Sequence, residues 1–156
     1  FQPETYKLKK RLRGQTTLSI CTKASMELGG FVFTRVNKAT QRQYVVENRQ
    51  IYGDSFTVTK EAIEGIGNNV SLEYADMDFG EQGISSISIC GRTPLAKNTI
   101  HVRFVGEESL NQIVEFPHEE EYAVHRFELQ PVKGLQKVVF VFLPGCDFDF
   151  SWFQFA

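Results

Sequence analysis

Cysteine, histidine and methionine are scarce in this chain of 156 residues, which has three, three and two of them. The thiols, Cys21, Cys90 and Cys146, are too few and too scattered for a disulfide framework or a zinc site. They are expected to be free and mostly buried, which favours a reducing compartment and hence the cytoplasm over the cell surface. His101, His118 and His125 stand singly, so no imidazole cluster points to a metal, and His101 and His125 are expected to face outward from strands. A strong charge of either sign is also missing. The net charge is -2 and the isoelectric point about 6.0, which argues against a nucleic-acid partner. No apolar run approaches the roughly 20 residues of a membrane span, so no membrane partner is expected. The opening "FQPETYKLKKRLRG" has neither an initiator methionine nor a secretory apolar stretch, and the chain reads as a piece of something longer.

Catalytic signatures are lacking as well. There are 19 acidic residues, yet no spacing singles out the facing carboxylate pair that a glycosidase needs. The run Glu119, Glu120 and Glu121 reads as a solvated loop. No serine carries a G-x-S-x-G context, and "GIGNN" (65–69) lacks the Lys-Ser/Thr that would make it a phosphate loop. Catalysis within this chain is not expected.

What is abundant is β-structure and phenylalanine, of which there are 14. "VSLEY" (70–74), "SISI" (86–89) and "TIHVRF" (99–104) alternate apolar and polar residues with the period of half-buried strands. "QIVEF", "HRFEL" and "KVVFVFL" continue the series. "DFGEQG", "GRTPLAKN", "VGEES", "PHEEE", "PVKG" and "LPGCD" read as turns between them. "VVFVFL" (138–143) is apolar at both parities and should be a central strand covered on both sides. "TKEAIEG" (59–65) is the one helical candidate. Short strands at this spacing predict an all-β jelly-roll sandwich. Residues 1–42 differ in texture, with the basic "KLKKRLR" followed by two expected strands near 16–20 and 30–36. They are read as a β extension, and residues 43–156 as the jelly roll.

The last stretch, "FDFSWFQFA", poses a puzzle. Phe148, Phe150 and Trp152 share one parity, and Phe153 and Phe155 the other. Either the N-terminal extension covers the outer face of this strand, or a β-bulge near Ser151 shifts the phase. Trp152 is expected in the core. Tyr52 and Asp54, in "IYGDSF", are read as part of a turn.

"GIGNNVSLEYADMDFG", "SISICGRTPLAKNTIHVRF" and the closing "DFDFSWFQF" together resemble the family 6 carbohydrate-binding modules, which have a galactose-binding-like jelly roll. More narrowly, they resemble the module at the C-terminal end of family 2 glycoside hydrolases of the β-galactosidase type. The resemblance spans about residues 44–155. It implies a non-catalytic carbohydrate-binding module that holds a galactose-type sugar, or another plant or host glycan, near the catalytic domain of a parent chain. It places sugar stacking at Tyr122, hydroxyl recognition at Asp149, and loop contacts at Asn68 and Asn69, where the family often has another aromatic ring. It also implies a structural calcium on an early glutamate, here Glu47 in "VVEN". Its partner in the final strand is Ser151 rather than aspartate, a poor ligand for calcium; Asp147 or Asp149 could substitute, but a structural calcium is not favoured. The alternative is a module whose sugar site has degenerated and which serves as a docking or dimerisation domain of its parent.

Overall fold

The computed structural model describes residues 2–6, 16–33, 37–47 and 49–156. It divides into two compact units, residues 1–35 and 36–156. In the first unit the described residues form no strand, so the one expected at 16–20 is absent and the one expected at 30–36 does not form over residues 30–33. The basic run at 7–13 lies outside the described residues. Leu18, Ile20, Met26, Leu28 and Phe31 through Phe33 are all exposed.

The second unit is all β. Its strands are β1 (Gln43–Tyr44), β2 (Gln50–Tyr52), β3 (Thr57–Val58), β4 (Ile63–Ile66), β5 (Val70–Asp78), β6 (Ile84–Val105), β7 (Ser109–Val132), β8 (Leu135–Phe142) and β9 (Phe148–Phe155). The hydrogen-bonded order is β2-β5-β8-β6-β9-β4-β3, with β7 beside β6 and β1 beside β9. β6 belongs to both layers of the sandwich. Its first half, from Ile87 to Arg92, pairs with β9, and its second half, from His101 to Val105, pairs with β8. β7 accompanies it throughout, with register shifts between Gly91 and Lys97 where the ribbon turns from one layer to the other.

Two expected turns, "GRTPLAKN" and "PHEEE", therefore lie inside strands, and Glu119, Glu120 and Glu121 belong to β7 rather than to a loop. Bulges in a long hairpin absorb the proline and the charges that read as turn signals. The helical candidate is not a helix either. The Thr59 hydroxyl accepts from the Ala62 amide at 3.0 Å and donates to its carbonyl at 3.0 Å, closing a turn that delivers buried Ile63 and Ile66 into β4.

β8 is central and covered on both sides, as its apolar run requires: Val138, Phe140 and Phe142 are fully buried and Val139 nearly so. Phe140 meets Tyr74, Phe150 and Phe153 at centroid distances of 5.9, 5.2 and 4.8 Å. The first two are edge-to-face and the third is tilted, and such ring contacts favour a fixed core over a fluid one. The Tyr74 hydroxyl donates to the Val45 carbonyl at 3.0 Å, which satisfies the one polar atom of that ring.

The parity puzzle of the last strand resolves as a bulge. Cys90 opposes Trp152 while Gly91 opposes Phe150, leaving Ser151 as the extra residue. Its carbonyl accepts from the Val45 amide at 3.0 Å. The bulge lets Phe148, Phe150, Phe153 and Phe155 all point into the core. It also turns Trp152 outward, contrary to the expectation of a core residue. The ring is partly exposed, and the Arg42 guanidinium lies 4.0 Å from its centroid.

Of the stretch expected as an extension, residues 37–42 belong to the sandwich unit. Ala39 is fully buried in the core. Asn37 Nδ2 donates to the Asp78 carbonyl at 2.8 Å, and Gln154 Nε2 to the Thr40 carbonyl at 3.1 Å.

Candidate functional site

Four strands bring four polar side chains together on one outer face. β9 supplies Asp149, β6 supplies Arg92 directly opposite it in register, β4 supplies Glu64 and β7 supplies Tyr122. Arg92 Nε donates to Asp149 Oδ2 at 2.7 Å, and its Nη2 lies 3.7 Å from Glu64 Oε1. Tyr122 donates its hydroxyl to that same Glu64 oxygen at 3.0 Å. The Arg92 guanidinium lies 4.8 Å from the centre of the Tyr122 ring, within reach of a cation–π contact. The second Asp149 oxygen, Oδ1, accepts the Gly65 amide at 2.7 Å. Gly65 has φ of 60°, a left-handed conformation that suits glycine and aims its amide at the carboxylate.

Charge and burial follow from these bonds. The hydrogen bond to Asp149 is the largest cause raising the Arg92 pKa, so the guanidinium stays charged. Burial first, and the bond to Glu64 second, push the Tyr122 phenol well above its ordinary value of 10.0. It is a neutral donor at every physiological pH. Beside this group lies an open cleft of about 340 Å³ lined by Arg92, Thr93, Pro94, His118, Glu119, Glu120 and Asp149. His125 Nε2 sits 2.8 Å from Glu119 Oε1 and holds that carboxylate in place. The cleft thus offers hydroxyl acceptors and a guanidinium donor, and beside it, against Arg92, lies Tyr122, 37% exposed. These are the parts that recognise a polyhydroxylated ring. No nucleophile with an adjacent base is among them.

Tyr122 and Asp149, two of the expected residues, are therefore brought to the same arginine, Arg92, although neither is free. Asn68 and Asn69 do not join them. Asn68 Oδ1 accepts the Gly145 amide at 3.0 Å and ties down the β8–β9 turn. Asn69 has φ of 56° and shapes the turn between β4 and β5, so both have local backbone roles. Tyr52, 53% exposed, ends β2 and its hydroxyl donates to Gln50 Oε1 at 3.1 Å.

Glu47 is exposed in the turn after β1 rather than within an early strand, and Ser151 donates its hydroxyl to the Glu61 carbonyl at 3.3 Å. Where the resemblance implies a carboxylate for calcium there thus stands a hydroxyl already bonded to the backbone, and of the aspartates nearby in sequence Asp149 is engaged by Arg92 and the Gly65 amide. Among the described residues, no three histidine, cysteine, aspartate or glutamate side chains gather as metal ligands. All three cysteines are free, but Cys21 is exposed, and only Cys90 is buried, with Cys146 between.

Sequence reasoning missed Arg92 and Glu64. Each is a lone charge in a strand, at an outward position of "CGRT" and "IEGI". Only the strand pairing, with β6 on one side of β9 and β4 on the other, reveals them.

The fold is a jelly-roll β-sandwich of the kind used by carbohydrate-binding modules. Among solved structures it is similar to a family 6 module from Clostridium stercorarium, solved with cellobiose, at TM-score 0.66 and 21% identity, covering 76% of this chain and 94% of that one. A family 6 module from Clostridium cellulolyticum, solved with xylose, matches at TM-score 0.64 and 18% identity, covering 76% and 98%. A family 43 arabinoxylan arabinofuranohydrolase from Bacillus subtilis, solved with cellotetraose, matches at TM-score 0.61 and 17% identity, covering 76% of this chain but 27% of that longer one. No protein-family model and no curated protein sequence matches the chain.

Proposed function

We propose that this chain is a non-catalytic carbohydrate-binding module that takes a sugar in the cleft beside Tyr122 and Asp149. The observation that carries this reading is the convergence on one cleft residue, Arg92, of the Tyr122 ring from β7 and the Asp149 carboxylate from β9. The similar solved modules, two of them with sugars bound, support it. The finer reading follows the resemblance: a galactose-type glycan as ligand, and a β-galactosidase-like family 2 hydrolase as the parent whose catalytic domain the module serves. The cytoplasm is its proposed compartment.

A second reading has one observation in its favour. Both Asp149 oxygens and the Tyr122 hydroxyl already have protein partners, as they would in a module kept for docking.

Calorimetric titration of the whole chain with galactotriose, cellotriose and xylotriose separates the two. Binding of at least one sugar is expected. Tyr122→Ala should weaken it about tenfold or more, with circular dichroism and melting temperature close to those of the parent, because a stacked ring contributes on the order of 1.4 kcal/mol. A Tyr122→Ala protein that melts early, from a parent that titrates with none of the three, would sink the binding reading and leave docking.

A further inference from the structure

Arg92 stands apart from the other members of the site because it touches every one of them. Its guanidinium covers the Tyr122 ring at 4.8 Å, holds Asp149 Oδ2 at 2.7 Å and leans on Glu64 at 3.7 Å. It is also a lining residue of the cleft. A sugar that stacks on Tyr122 needs the apolar face of that ring, and one that bonds to Asp149 needs a free oxygen lone pair. Arg92 lies over the ring and bonds to the carboxylate.

We infer that Arg92 is an internal competitor for the sugar, a plug seated on the ring and the carboxylate that the ligand requires. This rests on the proposed binding reading and adds what sets its strength. The plug is held by position rather than by burial. Arg92 faces Asp149 directly across the β6–β9 ladder, so the two charges are neighbours in any folded state of the sandwich. Its side chain is nonetheless 34% exposed, and a guanidinium that exposed can swing into solvent without breaking the strand. Displacing it costs a charge-assisted hydrogen bond and a cation–π contact, and the sugar must replace both. Neutral sugars therefore bind weakly while Arg92 is seated. Removing the guanidinium leaves Asp149 Oδ2 open to a hydroxyl and uncovers the ring.

Arg92→Ala is titrated with galactotriose, cellotriose and xylotriose beside the parent chain. At least one sugar should bind the variant about tenfold more tightly. In parallel, flavin-sensitised polarisation in proton NMR, which marks solvent-accessible tyrosine rings, should enhance the Tyr122 resonance in the variant. Tyr122→Phe identifies that resonance. Weaker or unchanged binding by Arg92→Ala, where the parent binds, overturns the plug: Arg92 would then be a sugar contact, or the sugar would use the other face of the ring. If neither protein binds any of the three sugars, the binding reading fails, and the plug is decided by the NMR experiment alone. Enhancement at Tyr122 upholds the cover over the ring, and none refutes it. Should Arg92→Ala fold poorly, Arg92→Lys removes the flat guanidinium but keeps the charge beside Asp149. Gains in affinity and enhancement, smaller than for alanine, are expected there, and the absence of both counts against the plug.

Discussion

At the residue scale, two phenols carry a charge state that the fold decides. Tyr74 is 1% exposed, and burial raises its pKa far above 10.0. Tyr122 is raised too, by burial and by its bond to Glu64. The unfolded chain ionises both near 10.0, whereas the folded chain keeps both protons. The folded state therefore holds its full advantage below pH 10.0 and loses it progressively as pH climbs beyond. Burial also raises the Cys90 and Cys146 thiols above their ordinary 9.0, so urea midpoints should be level from pH 7 to 8, decline around pH 9 and fall further between pH 10 and 11. In Tyr74→Phe the alkaline fall should be shallower. The same variant should be less stable at pH 7 by about 1–3 kcal/mol, since the buried Val45 carbonyl loses its donor. An alkaline fall as steep as the parent's would refute this assignment. The residue scale is also where the sequence was most uneven. Tyr122 and Asp149 could be named from their place in a recognisable pattern. Arg92 could not, because it meets Asp149 across 57 residues of chain, and a sequence without its register carries no such pairing.

At the element scale, the last strand shows how one inserted residue serves a core. Ser151 is the bulge between two phases of phenylalanine, and without it the strand alternates regularly. Phe148, Phe150, Phe153 and Phe155 then share one parity, and the Cys90–Trp152 and Gly91–Phe150 pairs become consecutive rungs of one ladder. Deleting Ser151 should therefore leave a folded spectrum in amide NMR, and Ser151→Ala, which keeps the bulge, should cost no more than about 1 kcal/mol. A collapsed spectrum in the deletion variant would mean that the core needs the bond from the Val45 amide to the Ser151 carbonyl rather than the phase of the rings. Gly91, opposite the bulge, is constrained in turn, because a Cβ there would lie 2.7 Å from the Asp149 carbonyl oxygen. Here the sequence left two readings open, a cover or a bulge, and periodicity alone could not choose. The mistaken turns at "GRTPLAKN" and "PHEEE" have a related cause. Local propensity marks a kink in the chain but does not say whether a ladder continues through it, and in β6 and β7 it does.

On the scale of the whole molecule, the sandwich begins earlier than its first strand. Residues 37–42 contribute the buried Ala39, the Asn37 and Thr40 bonds, and the arginine over Trp152. Every residue of the core cluster lies at position 39 or later. A chain of residues 36–156 should therefore fold cooperatively by itself. One of residues 43–156 should melt lower, by several degrees for each kcal/mol lost. Equal melting temperatures would place the boundary at 43, where texture alone had put it. The sandwich class was legible from strand spacing, and the central position of β8 from its double parity. The sharing of β6 between layers was not, since each half of it reads as an ordinary strand.

β7 runs for 24 residues beside β6, and among the described residues no strand pairs with its far side. A ribbon that long with bare backbone amides along one margin invites strand-by-strand growth between molecules. Pro117 and Pro131 interrupt its row of donors, and Glu119, Glu120 and Glu121 put like charges where a second copy would lie. The glutamates that line the cleft are thus also a guard against fibrillar self-association, and their replacement by neutral side chains to suit a ligand would come at the expense of solubility.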